Sequence, residues 1–213
     1  MVEAVLARFV CGPANSQVGS RVLCRRGGWQ RYHGPMAMDT FSYPLAASTA
    51  GALAATAAGG AYKIPESVLV IIYRSDGQVL LMHRTQLAPE GVPFWQCVTG
   101  SKDSLDEDWR TTAVREVAEE TGIDALAPGC TLQDWALENI YTIYPQWLHR
   151  YAPGVWLNTE RVFGLRVPTD TTVCLNPREH TACAWYPWQE AADRCYSASN
   201  AEAVLHLPAY LAA

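Results

Sequence analysis

Gly100 to Ile123 reads GSKDSLDEDWRTTAVREVAEETGI, and its centre, Arg115-Glu116-Val117-Ala118-Glu119-Glu120-Thr121-Gly122, packs four ionisable side chains into six positions. At 100° per residue, Glu116, Glu119 and Glu120 fall within one arc of about 100° on a helix, with Val114, Val117 and Ala118 on the other side. Carboxylates crowded on one face repel one another unless a cation compensates them. Arg115 stands four residues before Glu119 and offsets one charge. The remaining pair, Glu116 and Glu120, matches the oxygen-rich site that a hard divalent ion such as Mg²⁺ prefers. Acidic runs on helices are more often solvated faces, so the flanks have to decide. Ser104-x-x-Glu107 reads as a capping box that starts the helix, and Gly122 as its C-terminal stop. A glycine-bearing turn, Val98-Thr99-Gly100-Ser101, enters the helix from an apolar strand. Strand, glycine turn and short acidic helix form a layout suited to phosphate chemistry.

This stretch resembles the Nudix box: a glycine, five residues, Glu, seven residues, then Arg-Glu-x-x-Glu-Glu-x-Gly. From Glu107 onward the match is complete, with seven residues to Arg115 and then Glu116, Glu119, Glu120 and Gly122. The one departure is an extra residue between Gly100 and Glu107. It alters the loop and leaves the helix register intact.

Outward from the box, the 213 residues allow one domain and a sizeable extension. With 49% apolar and 17% charged residues, the chain can build a packed core. A net charge of −5 argues against a general nucleic-acid surface. The seven cysteines form no CxxC pair and no metal spacing, as expected of reduced thiols in a cytoplasmic protein. Residues 1–61 are rich in Gly, Ala, Ser and Arg, and Ala46 to Gly60 is a small-residue tract with little to bury. We expect a disordered leader or an over-extended start there, with neither a membrane span nor a signal peptide. A folded domain is expected over 62–213.

Within it, Ser67–Tyr73 is an apolar run of strand length, followed by the turn signal Ser75-Asp76-Gly77 and a partner strand, Val79–Arg84. Further strands are expected at Pro93–Thr99, Asn139–Leu148, Arg161–Val167 and Ala182–Trp185, with helices at Trp188–Cys195 and Asn200–His206. Strands on either side of one central helix, then terminal helices, predict an α/β sandwich with a mixed central sheet between helices.

Beyond the box, residues 62 to the C-terminus resemble the bacterial dihydroneopterin triphosphate diphosphatases of folate biosynthesis. The resemblance rests on Tyr62-Lys63, Phe94-Trp95-Gln96, Val98-Thr99-Gly100-Ser101, the HRYAPGV run from His149 to Val155, Asn158-Thr159-Glu160, and Glu179-His180. It implies a pyrophosphohydrolase that uses Mg²⁺, or Mn²⁺ in its place, and takes a small-molecule triphosphate, with no nucleic-acid or membrane partner. It implies metal ligands at Glu116, Glu120 and Glu179, and a general base at Glu119 or Glu179. Arg115 would orient a carboxylate. Substrate contacts are implied at Lys63, Arg84 and Thr99, where two cations and a hydroxyl suit a triphosphate, and at Tyr141, Thr142, Ile143, Tyr144 and Ser197. His149 and Arg150 are expected to order their loop. The box itself is shared with enzymes that cleave nucleoside triphosphates or dinucleotides, and with silent ligand-binding modules; an intact acidic set argues against the last.

Overall fold

The computed structural model describes Leu6–Arg8, residues 62–86 and residues 91–211. The expected leader lies outside the described residues except for the backbone of Leu6–Arg8, which forms strand β1. Strands β2 (Glu66–Tyr73), β3 (Gln78–Arg84), β4 (Trp95–Gln96) and β5 (Val98–Ser101) lead into helix α1 (Trp109–Thr121). Strand β6 (Thr131–Thr142), a 3-10 helix (Pro145–Arg150), β7 (Leu157–Arg166) and β8 (His180–Pro187) follow. Helices α2 (Trp188–Arg194), α3 (Ala198–His206) and α4 (Pro208–Leu211) close the described chain.

β2 is the hub of a mixed sheet. It runs parallel to β7 and antiparallel to β5 and, at its far end, to β3. β8 and β4 extend the sheet beyond β3, and β6 then β1 extend it beyond β7. Both faces of β2 are covered, which is why its sequence is a continuous apolar run instead of an alternating one. Val68, Val70 and Ile72 pack with Ala113 and Val117 of α1. Leu69, Ile71 and Tyr73 pack with Ala191, Ala203 and Val204 of α2 and α3. The expected sandwich of a mixed sheet between helices is the fold observed.

Local outcomes are mixed. Gly122 ends α1 at φ 69°, its amide bonded to Ala118 O, and Gly77 turns the β2–β3 hairpin at φ 81°. The capping box does not form. α1 begins at Trp109 behind Asp108, which makes no side-chain cap, because Glu107 is engaged elsewhere. Its carboxylate accepts from the Asp103 amide (2.6 Å) and from Arg115 Nε (3.1 Å). The strand expected at Pro93–Thr99 is split at Cys97, whose amide donates to Asn200 Oδ1 (2.9 Å) instead of a neighbouring strand. The strand expected at Asn139–Leu148 starts earlier, at Thr131, and stops at Thr142. Pro145 has no N–H for a ladder and starts the 3-10 helix. The last long helix starts at Ala198, with the Ser197 hydroxyl accepting from the Asn200 amide.

Candidate active site

α1 and β5 face each other across Gly100. A Cβ there would overlap the Glu116 carboxylate, so glycine at this position is what leaves that carboxylate its place against β5. Arg115 fixes the approach. Its Nη1 donates to Glu116 Oε1 (2.8 Å), its Nε to Glu107 Oε1 (3.1 Å) and its Nη2 to the Ser101 carbonyl (2.9 Å). Glu119 lies 3.5 Å from Nη1 on the exposed side of the helix, its side chain 54% exposed. With its N–H groups committed to protein acceptors, Arg115 is placed to orient carboxylates.

Glu116 and Glu120 are buried, Glu120 to 1% exposure. Burial pushes Glu116 up to about 7, partly offset by Arg115 and reinforced by the charges of Glu120 and Glu119. Burial pushes Glu120 further, to about 8, with the Glu179 charge adding to it. A backbone hydrogen bond from Thr99 and the Arg84 charge oppose that rise. Glu179 and His180, at the start of β8, bring their ligating atoms to within 4.8 Å of each other and of Glu120. His180 Nε2 lies 3.2 Å from Glu120 Oε2. Burial, then the Arg84 charge, holds that ring down to about 4, so it is neutral at physiological pH.

The cationic side of the site is Lys63, Arg84 and Arg150. Lys63 is held below its usual range by burial, then by Arg150 and Arg84, against the attraction of Glu116 and Glu179. Its amide donates to the Arg150 carbonyl (2.8 Å). Cations gathered on one side of a cleft repel one another, and a bound polyanion would relieve that repulsion. The Arg84 guanidinium carbon lies 5.8 Å from the centre of the Phe94 ring. Phe94 contacts Tyr196 (4.4 Å between centroids) and Trp147 (6.4 Å), and Trp147 meets Tyr144 edge-on at 5.2 Å. An aromatic cluster therefore adjoins the cations.

Other positions expected at the site are placed as follows. Thr99 Oγ1 accepts from Gln96 Nε2 (3.3 Å). Tyr141 OH accepts from Asn158 Nδ2 (3.1 Å) and donates to Glu160 Oε2 (3.4 Å). Ser197 caps α3 and lies 3.4 Å from the Ser199 hydroxyl. Thr142 is exposed. The Ile143 side chain is buried against Ala152 and Val155.

Residues 63–207 match the Nudix domain family. Over 143 residues the chain is 39% identical to the dihydroneopterin triphosphate diphosphatase of Escherichia coli K12, covering 67% of this chain and 91% of that protein. Its Haemophilus influenzae counterpart is 34% identical, covering 67% and 87%. The structure of the E. coli dihydroneopterin triphosphate pyrophosphohydrolase superposes with a TM-score of 0.59 at 38% identity, covering 68% of this chain and 95% of that one. The chain belongs to the Nudix family.

As a Nudix hydrolase it acts with a divalent metal on a small phosphorylated substrate. The donors present fit such an ion. Buried carboxylates at Glu116 and Glu120, with Glu179 beside them, are hard oxygen ligands whose ionisation is opposed until a cation arrives. Among the described residues no helix is long and apolar enough to cross a membrane. Two neighbours escaped the residue-level reading. In the sequence His180 stands out only as the residue after Glu179, and Arg150, expected to order its loop, lies 87 positions from Lys63, a distance no local spacing bridges.

Proposed function

We propose that this Nudix hydrolase converts dihydroneopterin triphosphate to the monophosphate and pyrophosphate, with Mg²⁺ as the ion held by Glu116, Glu120 and Glu179. The observation that supports this best is similarity over 143 residues to relatives carrying that name, 39% identical for the E. coli protein, joined to an intact acidic and cationic site. A bound divalent cation would neutralise phosphate oxygens and acidify a coordinated water. Lys63, Arg84 and Arg150 would hold the triphosphate against the carboxylates. Of the two acids considered as base, Glu179 sits with Glu120 and His180, whereas Glu119 points outward beside Arg115. We assign Glu179 to accept the proton of the attacking water, whose oxygen bonds to phosphorus as an anhydride P–O bond breaks and pyrophosphate leaves. Five free cysteines among the described residues agree with a reducing, cytoplasmic setting.

The test is substrate profiling in Mg²⁺ with pyrophosphate and orthophosphate measured separately. kcat/KM for dihydroneopterin triphosphate should exceed that for dATP by at least ~10-fold, or about 1.4 kcal/mol. Equal rates on every nucleotide, or release of orthophosphate alone, would leave only a general Nudix hydrolase.

A further inference from the structure

One buried acid plays no part in the chemistry above. Glu160 lies on β7, 2% exposed, opposite Ser67 of β2 and Asn139 of β6. Its partners are all neutral: Asn139 Nδ2 at 3.2 Å, Tyr141 OH at 3.4 Å and the Ser199 hydroxyl. Burial pushes its carboxyl upward, and no cation is among the causes that oppose the rise. A buried carboxylate without a counter-charge weakens a fold, and an apolar residue there would serve stability better. Next to it is a second acceptor. Asn158, also 2% exposed, donates from Nδ2 to Ser67 Oγ (2.7 Å) and Tyr141 OH (3.1 Å), while its Oδ1 has no partner among the described residues.

These acceptors are linked by hydrogen bonds to two residues expected at the substrate. Tyr141 bonds Glu160 directly, and Ser197 reaches it through Ser199. Both are positions where the resemblance puts substrate. Phe94 and Tyr196, the latter one residue before the α3 cap, supply aromatic faces, and Arg84 leads from Phe94 to the phosphate side.

We propose that Glu160 is a specificity-determining residue that reads the N–H edge of the substrate ring, its carboxylate accepting two adjacent donors, with Asn158 Oδ1 as a supporting acceptor. This rests on the substrate reading above, and it names what selects the ring. A 2-amino-4-oxo pyrimidine, the half of a pterin that faces away from its side chain, offers an amino group beside a ring N–H. A carboxylate takes that pair in a fork. Guanine carries the same edge. Adenine presents a bare ring nitrogen beside its amino group, and hypoxanthine lacks the 2-amino group.

The test measures kcat/KM for dGTP, dITP and dATP, alongside dihydroneopterin triphosphate, on the wild type and on Glu160→Gln. The wild type should favour dGTP over dITP by at least ~10-fold, since a site built for an N–H leaves acceptors unpaired without it. In Glu160→Gln that ratio should fall to about twofold or less, and dihydroneopterin triphosphate should lose as much as dGTP does. A uniform fall on all four substrates would mean a structural role and overturn the proposal. So would equal wild-type rates on dGTP and dITP, a comparison that needs no variant and stands if Glu160→Gln fails to fold. A steep dGTP/dITP ratio that collapses in the variant, with no wild-type preference for the pterin, would sustain the edge-reading and defeat the substrate assignment alone.

Discussion

Glu120→Gln separates the metal-binding role of the acidic helix from its contribution to folding, because the two respond with opposite sign. In the metal-free protein Glu120 is 1% exposed, and its carboxyl is pushed up to about 8 by burial and then by Glu179. A carboxyl raised in the folded state favours folding most below its unfolded pKa, and that advantage is lost as pH rises through the folded pKa. The window therefore runs from about 4 to about 8. Roughly three and a half units at ~1.4 kcal/mol each set an upper bound near ~5 kcal/mol, and water entry and relaxation bring this to about 2 kcal/mol. Gln keeps the shape and still offers an oxygen to His180, but it has no charge to bury. Thermal melts in a chelator should therefore place the variant above wild type at pH 8, by about 4–8 °C, with the gap closing by pH 5. With Mg²⁺ present the same variant should lose at least ~100-fold in kcat, about 2.7 kcal/mol. A wild type as stable as the variant at pH 8 without metal, or near-normal turnover in the variant, would refute the reasoning.

Two further outcomes follow from the geometry. Glu179→Gln should lower kcat at least ~100-fold, while Glu119→Gln should cost less than ~10-fold; the reverse order would move the base to the helix. Arg150→Gln should raise KM for the triphosphate about 10-fold, more than it lowers kcat, and should raise the Lys63 pKa, because Arg150 is the leading charge holding that amine down. A KM at the wild-type value would return Arg150 to a loop-ordering role.

What the sequence disclosed followed the reach of each physical signal. The acidic helix was legible because a helical period fixes which side chains share a face, and no loop change can alter the spacing of Glu116 and Glu120. The start of that helix was not, because Glu107 answers to Arg115 eight residues on as well as to the Asp103 amide. The break at Cys97 depends on Asn200, 103 residues away, and nothing local announces it. Glu160 stands between these cases. On β7 the inward positions run Asn158, Glu160, Val162, and the opposing row on β2 runs Ser67, then Leu69. One face of the sheet thus turns from apolar under α2 and α3 to polar beside the α3 N-terminus while staying buried. The strand expected from Arg161 leaves Glu160 just outside it, and only the observed start at Leu157 places the acid at an inward position. Reading it as a site needed the neighbouring rows, since a single buried acid is a fault in a core and a cluster of buried acceptors is a surface for something with donors. Where the period holds but the residue type departs from it, the departure marks what the fold was kept to bind.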